Sequence, residues 1–86
     1  MDYYNNEEVR TEEGVYVKHH NGFFTFRFSF DEIVVFEEVN TAVLEKFDLR
    51  SDEYIGAVFE VTYKEIFDDL DEDDFLIFRI MKLRLL

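Results

Sequence analysis

The longest regular alternation in the chain is FTFRFSF, residues 24–30, where Phe24, Phe26, Phe28 and Phe30 occupy every second position. A period of two places these rings on one face of a strand. Asn21-Gly22 stands just before it. Asn-Gly next to alternating runs predicts a two-residue hairpin, because both turn positions of type I′ require positive φ. With that loop, His20 pairs with Phe23, His19 with Phe24, Lys18 with Thr25, Val17 with Phe26, Tyr16 with Arg27 and Val15 with Phe28. Val15 and Val17 then share a face with the alternate phenylalanines. Tyr16, Lys18, Phe23, Thr25 and Arg27 take the other face. Two apolar halves meeting on one side support this register.

The rest of the pattern predicts three further strands and one helix. In DEIVVFEEV, residues 31–39, the run Ile33 to Phe36 is continuously apolar and reads as a strand covered on both faces. Asn40-Thr41 offers an N-cap, and Val43, Leu44 and Phe47 follow at helical spacing, predicting a short helix over about 41–48. SDEYIG, residues 51–56, adds one capped turn ending at Gly56. Phe59, Val61 and Tyr63 alternate with Glu60, Thr62 and Lys64 in a half-buried strand over 57–67. In FLIFRIMKLRLL, residues 75–86, both parities are apolar until Arg79, Lys82 and Arg84, which predicts a bulge or a bend. Residues 1–11 show no periodicity and read as a loose N-terminal arm, leaving 12–86 as a single domain.

The order over residues 12–86 is three strands, a short helix and two strands. This order resembles the OB-fold. The resemblance implies a mainly β architecture: a five-stranded OB-like Greek-key barrel with one short helix between strands 3 and 4. The segment FDLRSDEYIGAVFEVTY, residues 47–63, followed by an acidic loop and a Leu-rich end, also resembles a group of small acidic uncharacterised bacterial proteins. That likeness implies no activity.

Charge constrains function more than length does. The 86 residues carry 21 acids against 9 Lys and Arg, a formal charge of −12, yet 48% of them are hydrophobic and 19% aromatic. So much apolar content argues for a packed core, and so much negative charge repels nucleic acids and anionic membranes while attracting basic surfaces. The absence of cysteine excludes disulfides and thiolate metal sites and suits a reducing cytoplasm. No apolar run approaches the roughly 18 residues of a membrane span. MDYYNNEEVR has the wrong chemistry for a secretory signal.

Catalytic patterns fail one by one. His19 and His20 are adjacent in a strand and point to opposite faces, so they cannot grip one metal. An EF-hand register starting at Asp69 places Asp74 where glycine is needed and Ile80 where glutamate is needed. Ser29 and Ser51 have no histidine nearby in sequence, and there is no Gly-rich phosphate loop. The reading is of a non-enzymatic protein without cofactor or metal. Nucleic-acid binding is not expected either, because the stripe reads as core and the outer hairpin face offers only Lys18 and Arg27 to phosphates.

What remains is surface. The acids gather at 2–13, 37–38, 45–53 and 65–74. The expectation is a cytoplasmic protein-interaction domain that meets a basic protein partner. Its candidate anchors are the aromatics Tyr3, Tyr4, Phe23, Tyr54 and Phe67, with the carboxylates Asp68, Asp69, Asp71, Glu72, Asp73 and Asp74 of the acidic loop. The alternative is a nucleic-acid mimic of the phage, anti-CRISPR-like type, whose carboxylates stand in for phosphates and block a nucleic-acid-binding enzyme. A homodimer through the apolar end LRLL is also expected, since an uncapped apolar edge tends to pair.

Overall fold

The computed structural model describes residues 7–68 and 75–86. It contains strands β1 (Glu7–His20), β2 (Phe23–Phe28), β3 (Glu32–Phe36), β4 (Glu38–Val39), β5 (Val58–Asp68) and β6 (Phe75–Leu85), and the helix α1 (Thr41–Lys46). The strands form one sheet in the order β3-β2-β1-β5-β6-β4. All pairs are antiparallel except β4 with β6, which run parallel.

The protein is mainly β, as the pattern predicts, but it is not a closed five-stranded barrel. β3 and β4 lie at opposite ends of the sheet order, although only Glu37 separates them in the chain. The sheet must therefore curl until its edges approach. The Glu37 N–H donates to the Phe78 carbonyl at 3.1 Å, and the Asn40 N–H donates to the Ile80 carbonyl at 2.9 Å. These bonds tie residues 37–40 to β6 and stop there. The segment 31–39 thus splits into two strands, and β3 keeps one edge unpaired among the described residues.

The hairpin turn is as expected, with Asn21 at φ 53° and Gly22 at φ 84°. His20, His19 and Lys18 pair with Phe23, Phe24 and Thr25. The register then shifts. Val17 is an extra residue, and beyond it Tyr16 faces Phe26, Val15 faces Arg27 and Gly14 faces Phe28. One inserted residue inverts the parity of everything after it. Tyr16, expected on the outer face, is fully buried. Its ring centroid lies 5.0 Å from that of Phe26, and its hydroxyl donates to the Leu49 carbonyl at 2.6 Å. Val15 moves outward in exchange.

Gly14 explains how the bulge is accommodated. A Cβ there would lie 2.5 Å from Phe28 Cδ1, so the phenyl ring covers bare backbone that only glycine provides. The ring is held on its other side by Tyr63, stacked at 5.5 Å and 11°.

Phe24, Phe26 and Phe28 are buried, so the stripe is core wall. It ends at a 3-10 turn, Ser29–Asp31, with Asp31 at φ 62°; the Phe30 side chain lies outside the described residues. Phe36, Phe59, Val61 and Tyr63 complete the inner face from β3 and β5. A second bulge at Met81 lets both Ile80 and Leu83 point inward, which resolves the mixed parity of the last strand.

β3 corrects another expectation. Val34 and Phe36 are buried, but Ile33 and Val35 are 55% and 44% exposed. The strand is covered on one face only, because a single curled sheet leaves its convex side bare. β1 begins at Glu7, so residues 7–11, read from the sequence as part of an arm, pair with 62–66 of β5. α1 ends two residues earlier than expected. Asn40 precedes it without a side-chain cap, its Nδ2 reaching instead toward the Met81 carbonyl at 3.5 Å. The next turn, Asp52–Tyr54, is capped as expected: Ser51 Oγ accepts from the Glu53 N–H at 3.0 Å, and Gly56 follows at φ 90°.

Candidate interaction surface

Strand pairing sorts the convex face of the sheet into two zones. Across β3, β2, β1 and β5 runs the row Ile33, Arg27, Val15 and Val58, and beside it the row Val35, Thr25 and Lys18. Across β1, β5 and β6 run Glu13, Glu60 and Arg84, then Thr11, Thr62 and Lys82. The first zone mixes apolar and basic residues: Ile33, Val35 and Val58 stand among the exposed large hydrophobic residues, with the exposed Arg27 and Lys18 beside them. The second is charged. Arg84 Nε and Nη2 donate to the two Glu60 carboxylate oxygens, each at 3.1 Å. Thr11 and Thr62 hydroxyls meet at 3.0 Å. On β6 and β4, Arg79 grips Glu38, with Nε at 2.7 Å and Nη2 at 2.6 Å from Oε1.

Opposite charges meeting in pairs move the acidities of the second zone. The Arg84 hydrogen bond holds the Glu60 carboxyl below its ordinary range, and Glu60 raises Arg84 in turn. On the concave face, desolvation pushes the Tyr16 hydroxyl up to about 12, assisted by the negative charges of Asp52 and Asp48. Burial also raises Tyr63, whose hydroxyl donates to Glu12 Oε2 at 2.8 Å. These phenols are buried donors within the core.

The acids of β3's flanks behave differently from Glu38 and Glu60. Asp31, Glu32 and Glu37 are exposed and make no ion pair among the described residues. Glu37 also lines a hollow of about 440 Å³ between the hairpin turn, β4 and the start of α1, together with Arg50 and the Arg79–Glu38 pair. A second acidic group spans the end of α1 and the residues after it, where Glu45, Asp48, Asp52 and Glu53 are exposed within nine residues. Asp52 Oδ1 lies 3.0 Å from His19 Nε2. His20 turns away, its Nε2 lying 3.1 Å from Asn21 Nδ2.

The candidate anchors scatter. Phe23 is 41% exposed at the hairpin turn. Tyr54 is half-buried, its ring centroid 5.6 Å from Phe47 and 5.9 Å from Phe59, so it packs onto the rim of the core. Phe67 and Asp68 pair through their backbones with Leu76 and Phe75 at the end of the β5–β6 ribbon, and their side chains lie outside the described residues. Tyr3, Tyr4, Asp69, Asp71, Glu72, Asp73 and Asp74 also lie outside them.

Sequence reasoning passed over Ile33 and Val35, because a continuous apolar run reads as fully covered. The signal that singles them out is the framing of the run: Asp31 and Glu32 before it, Glu37 and Glu38 after it. Acids on both sides of a buried strand would be costly unless its ends reached water. No helix among the described residues is long and apolar enough to cross a membrane. Compared with family models, characterised proteins and solved structures, the chain matches none.

Proposed function

We propose that this protein is a small, non-enzymatic interaction domain whose acidic surface meets a basic protein partner. The observation that carries the reading is that Asp31, Glu32 and Glu37, which make no ion pair among the described residues, flank the exposed Ile33 and Val35. Exposed apolar side chains set among charged ones, here these acids together with Arg27 and Lys18 on the adjoining strands, have the composition of a protein-binding patch. Four of the nine cations, Lys64, Arg79, Lys82 and Arg84, gather on β5 and β6, which leaves the remaining surface more acidic than an even spread would.

That segregation also favours the second reading, a nucleic-acid mimic of the phage, anti-CRISPR-like kind, in which the carboxylates stand in for phosphates. The classical single-strand role of an OB-fold is the weakest of the three, because Phe24, Phe26 and Phe28 are packed inside and offer no stacking platform. The OB resemblance itself gains support if β3 and β4 are counted as one strand broken at Glu37. The order then reads as a partly open five-stranded Greek key whose third and last strands run parallel.

The test is capture from cell lysate at low salt and at about 0.5 M salt, where screening acts within a few ångströms. A basic protein retained at low salt, identified by mass spectrometry and lost at high salt, is the expected result. Release of that protein by competing DNA or RNA selects the mimic. Failure to retain any basic protein rejects both readings. Retention on single-stranded DNA would restore the OB role. Leu85 and Leu86, 47% and 50% exposed, are the surface on which a homodimer through the C-terminal end would rest.

A further inference from the structure

The hollow of about 440 Å³ is bounded by four separate stretches of the chain: Gly22 and Phe24 of the hairpin, residues 37–44, Arg50 after α1, and Arg79 of β6. Its volume falls within the range of about 300–1,000 Å³ common to small-molecule sites. In a protein of formal charge −12 its lining is balanced, with two carboxylates, Glu37 and Glu38, and two guanidiniums, Arg50 and Arg79. Only one couple is joined. Arg79 holds Glu38 through Oε1, whereas Glu37 and Arg50 are exposed and make no ion pair among the described residues, with each other or with any other group.

Both unjoined residues stand on anchored backbone. Glu37 follows the fully buried Phe36, and its N–H donates to the Phe78 carbonyl. Arg50 follows the fully buried Leu49, whose carbonyl accepts the Tyr16 hydroxyl. The Arg50 N–H donates to Asp48 Oδ1 at 3.2 Å, and the Ser51 N–H donates to the Asp48 carbonyl at 3.1 Å. A site whose polar groups rise from fixed backbone loses little freedom on binding.

We infer that this hollow binds a small zwitterion of dipeptide size with an apolar body, its carboxylate held by Arg50 and its ammonium by Glu37. The inference does not rest on the basic-partner reading. A lone anion would meet two carboxylates and a lone cation two guanidiniums, so a ligand carrying both charges is the one that satisfies both sides. Guanidinium suits a carboxylate through two parallel N–H bonds. Glu37 and Arg50 stand too far apart to bond each other. A dipeptide separates its two terminal charges, whereas a free amino acid carries both on one carbon. Phe24, Val39 and Leu44 supply apolar lining, which favours aliphatic side chains between the charged ends.

The experiment titrates the full chain with leucyl-leucine, its N-acetyl derivative and its C-terminal amide, read by NMR shift changes. The expected result is binding of leucyl-leucine with shifts at Gly22, Val39 and Thr41, and binding of each blocked dipeptide weaker by about tenfold or more, the loss of one charge-assisted contact. Two variants assign the ends. Arg50→Gln should weaken leucyl-leucine by a similar factor but leave the amide unchanged. Glu37→Gln should weaken leucyl-leucine but leave the N-acetyl form unchanged, each variant keeping the wild-type urea midpoint. Equal binding of all three dipeptides, shifts confined to other parts of the sheet, or no binding of leucyl-leucine overturns the inference. Equal weakening of every dipeptide by both variants also overturns it, because the two charges would then not read separate ends. None of these outcomes bears on the lysate capture, which tests the protein-partner reading separately.

Discussion

The two halves of the curled sheet solve the same problem differently. In the β1–β2–β3 half the concave face is nearly all phenyl: Phe26 lies within 6.4 Å, centroid to centroid, of Tyr16, Phe28, Phe36 and Phe59. Its convex face mixes Ile33 and Val35 with Arg27 and Lys18, and β3 pairs on one side only among the described residues. In the β5–β6 half the concave face mixes Val61, Tyr63, Ile80 and Leu83, the convex face is tied by Glu60–Arg84 and Thr11–Thr62, and the edge is shielded by β4 and α1. The lesson is that polar pairing and edge cover go together. The half whose convex side is ion-paired has its outer strand paired on both sides, and the other half ends in a strand paired on one side among the described residues.

The comparison is broken most severely at its most crowded point. Phe26→Ala removes the ring shared by both halves and should cost about 3–5 kcal/mol, read by urea unfolding; a loss under about 1 kcal/mol would mean that the ring cluster does not hold the halves together. Next comes the seam. Gly14→Ala puts a methyl 2.5 Å from a ring that Tyr63 pins in place, and overpacking of this sort costs about 1–3 kcal/mol. A neutral outcome would show that Phe28 has room to retreat.

Tyr16→Phe sharpens the contrast through pH. Removing the hydroxyl leaves the buried Leu49 carbonyl without its donor, a loss of about 1–3 kcal/mol. The wild-type phenol is raised from its ordinary 10.0 to about 12 by burial and by Asp52 and Asp48. An acid whose native value is raised stabilises the fold fully below pH 10 and loses that contribution as pH climbs toward 12. The wild type should therefore weaken between those values, and Tyr16→Phe should weaken less steeply over the same interval. Parallel alkaline curves for the two proteins would contradict this.

The smallest effects belong to the surface. The Glu60–Arg84 pair lowers the carboxylate's native pKa, so its contribution is present above the ordinary carboxylate range and fades as pH falls through it. Arg84→Gln should flatten that acid limb slightly and leave the neutral-pH midpoint almost unmoved. Ile33→Thr with Val35→Thr should change stability by no more than about 0.5 kcal/mol, as for surface sites in general. A large drop in stability would show that β3's convex face is covered after all.

Much of this was legible in residue order. The Asn21-Gly22 turn, the inward faces of Phe24, Phe26 and Phe28 and of Phe59, Val61 and Tyr63, the helix after Asn40 and the Ser51 cap all follow from local periodicity and turn chemistry. Such features depend on residues a few positions apart, and that information is complete in the chain.

Tertiary structure decided the rest. The bulge at Val17 carried Tyr16 into the core and Val15 out of it, and nothing local to VYVK fixes it; it depends on Phe28 lying over Gly14 and on where β1 meets β5. The reach of β1 back to Glu7 required a partner some fifty residues away in β5. The exposure of Ile33 and Val35 was hidden because apolarity shows that a side chain is able to be buried, whereas burial also needs a second layer. Among the described residues, this single curled sheet has no layer outside β3. A period of two assigns each strand's faces, but closure geometry chooses where the count slips and which face meets water.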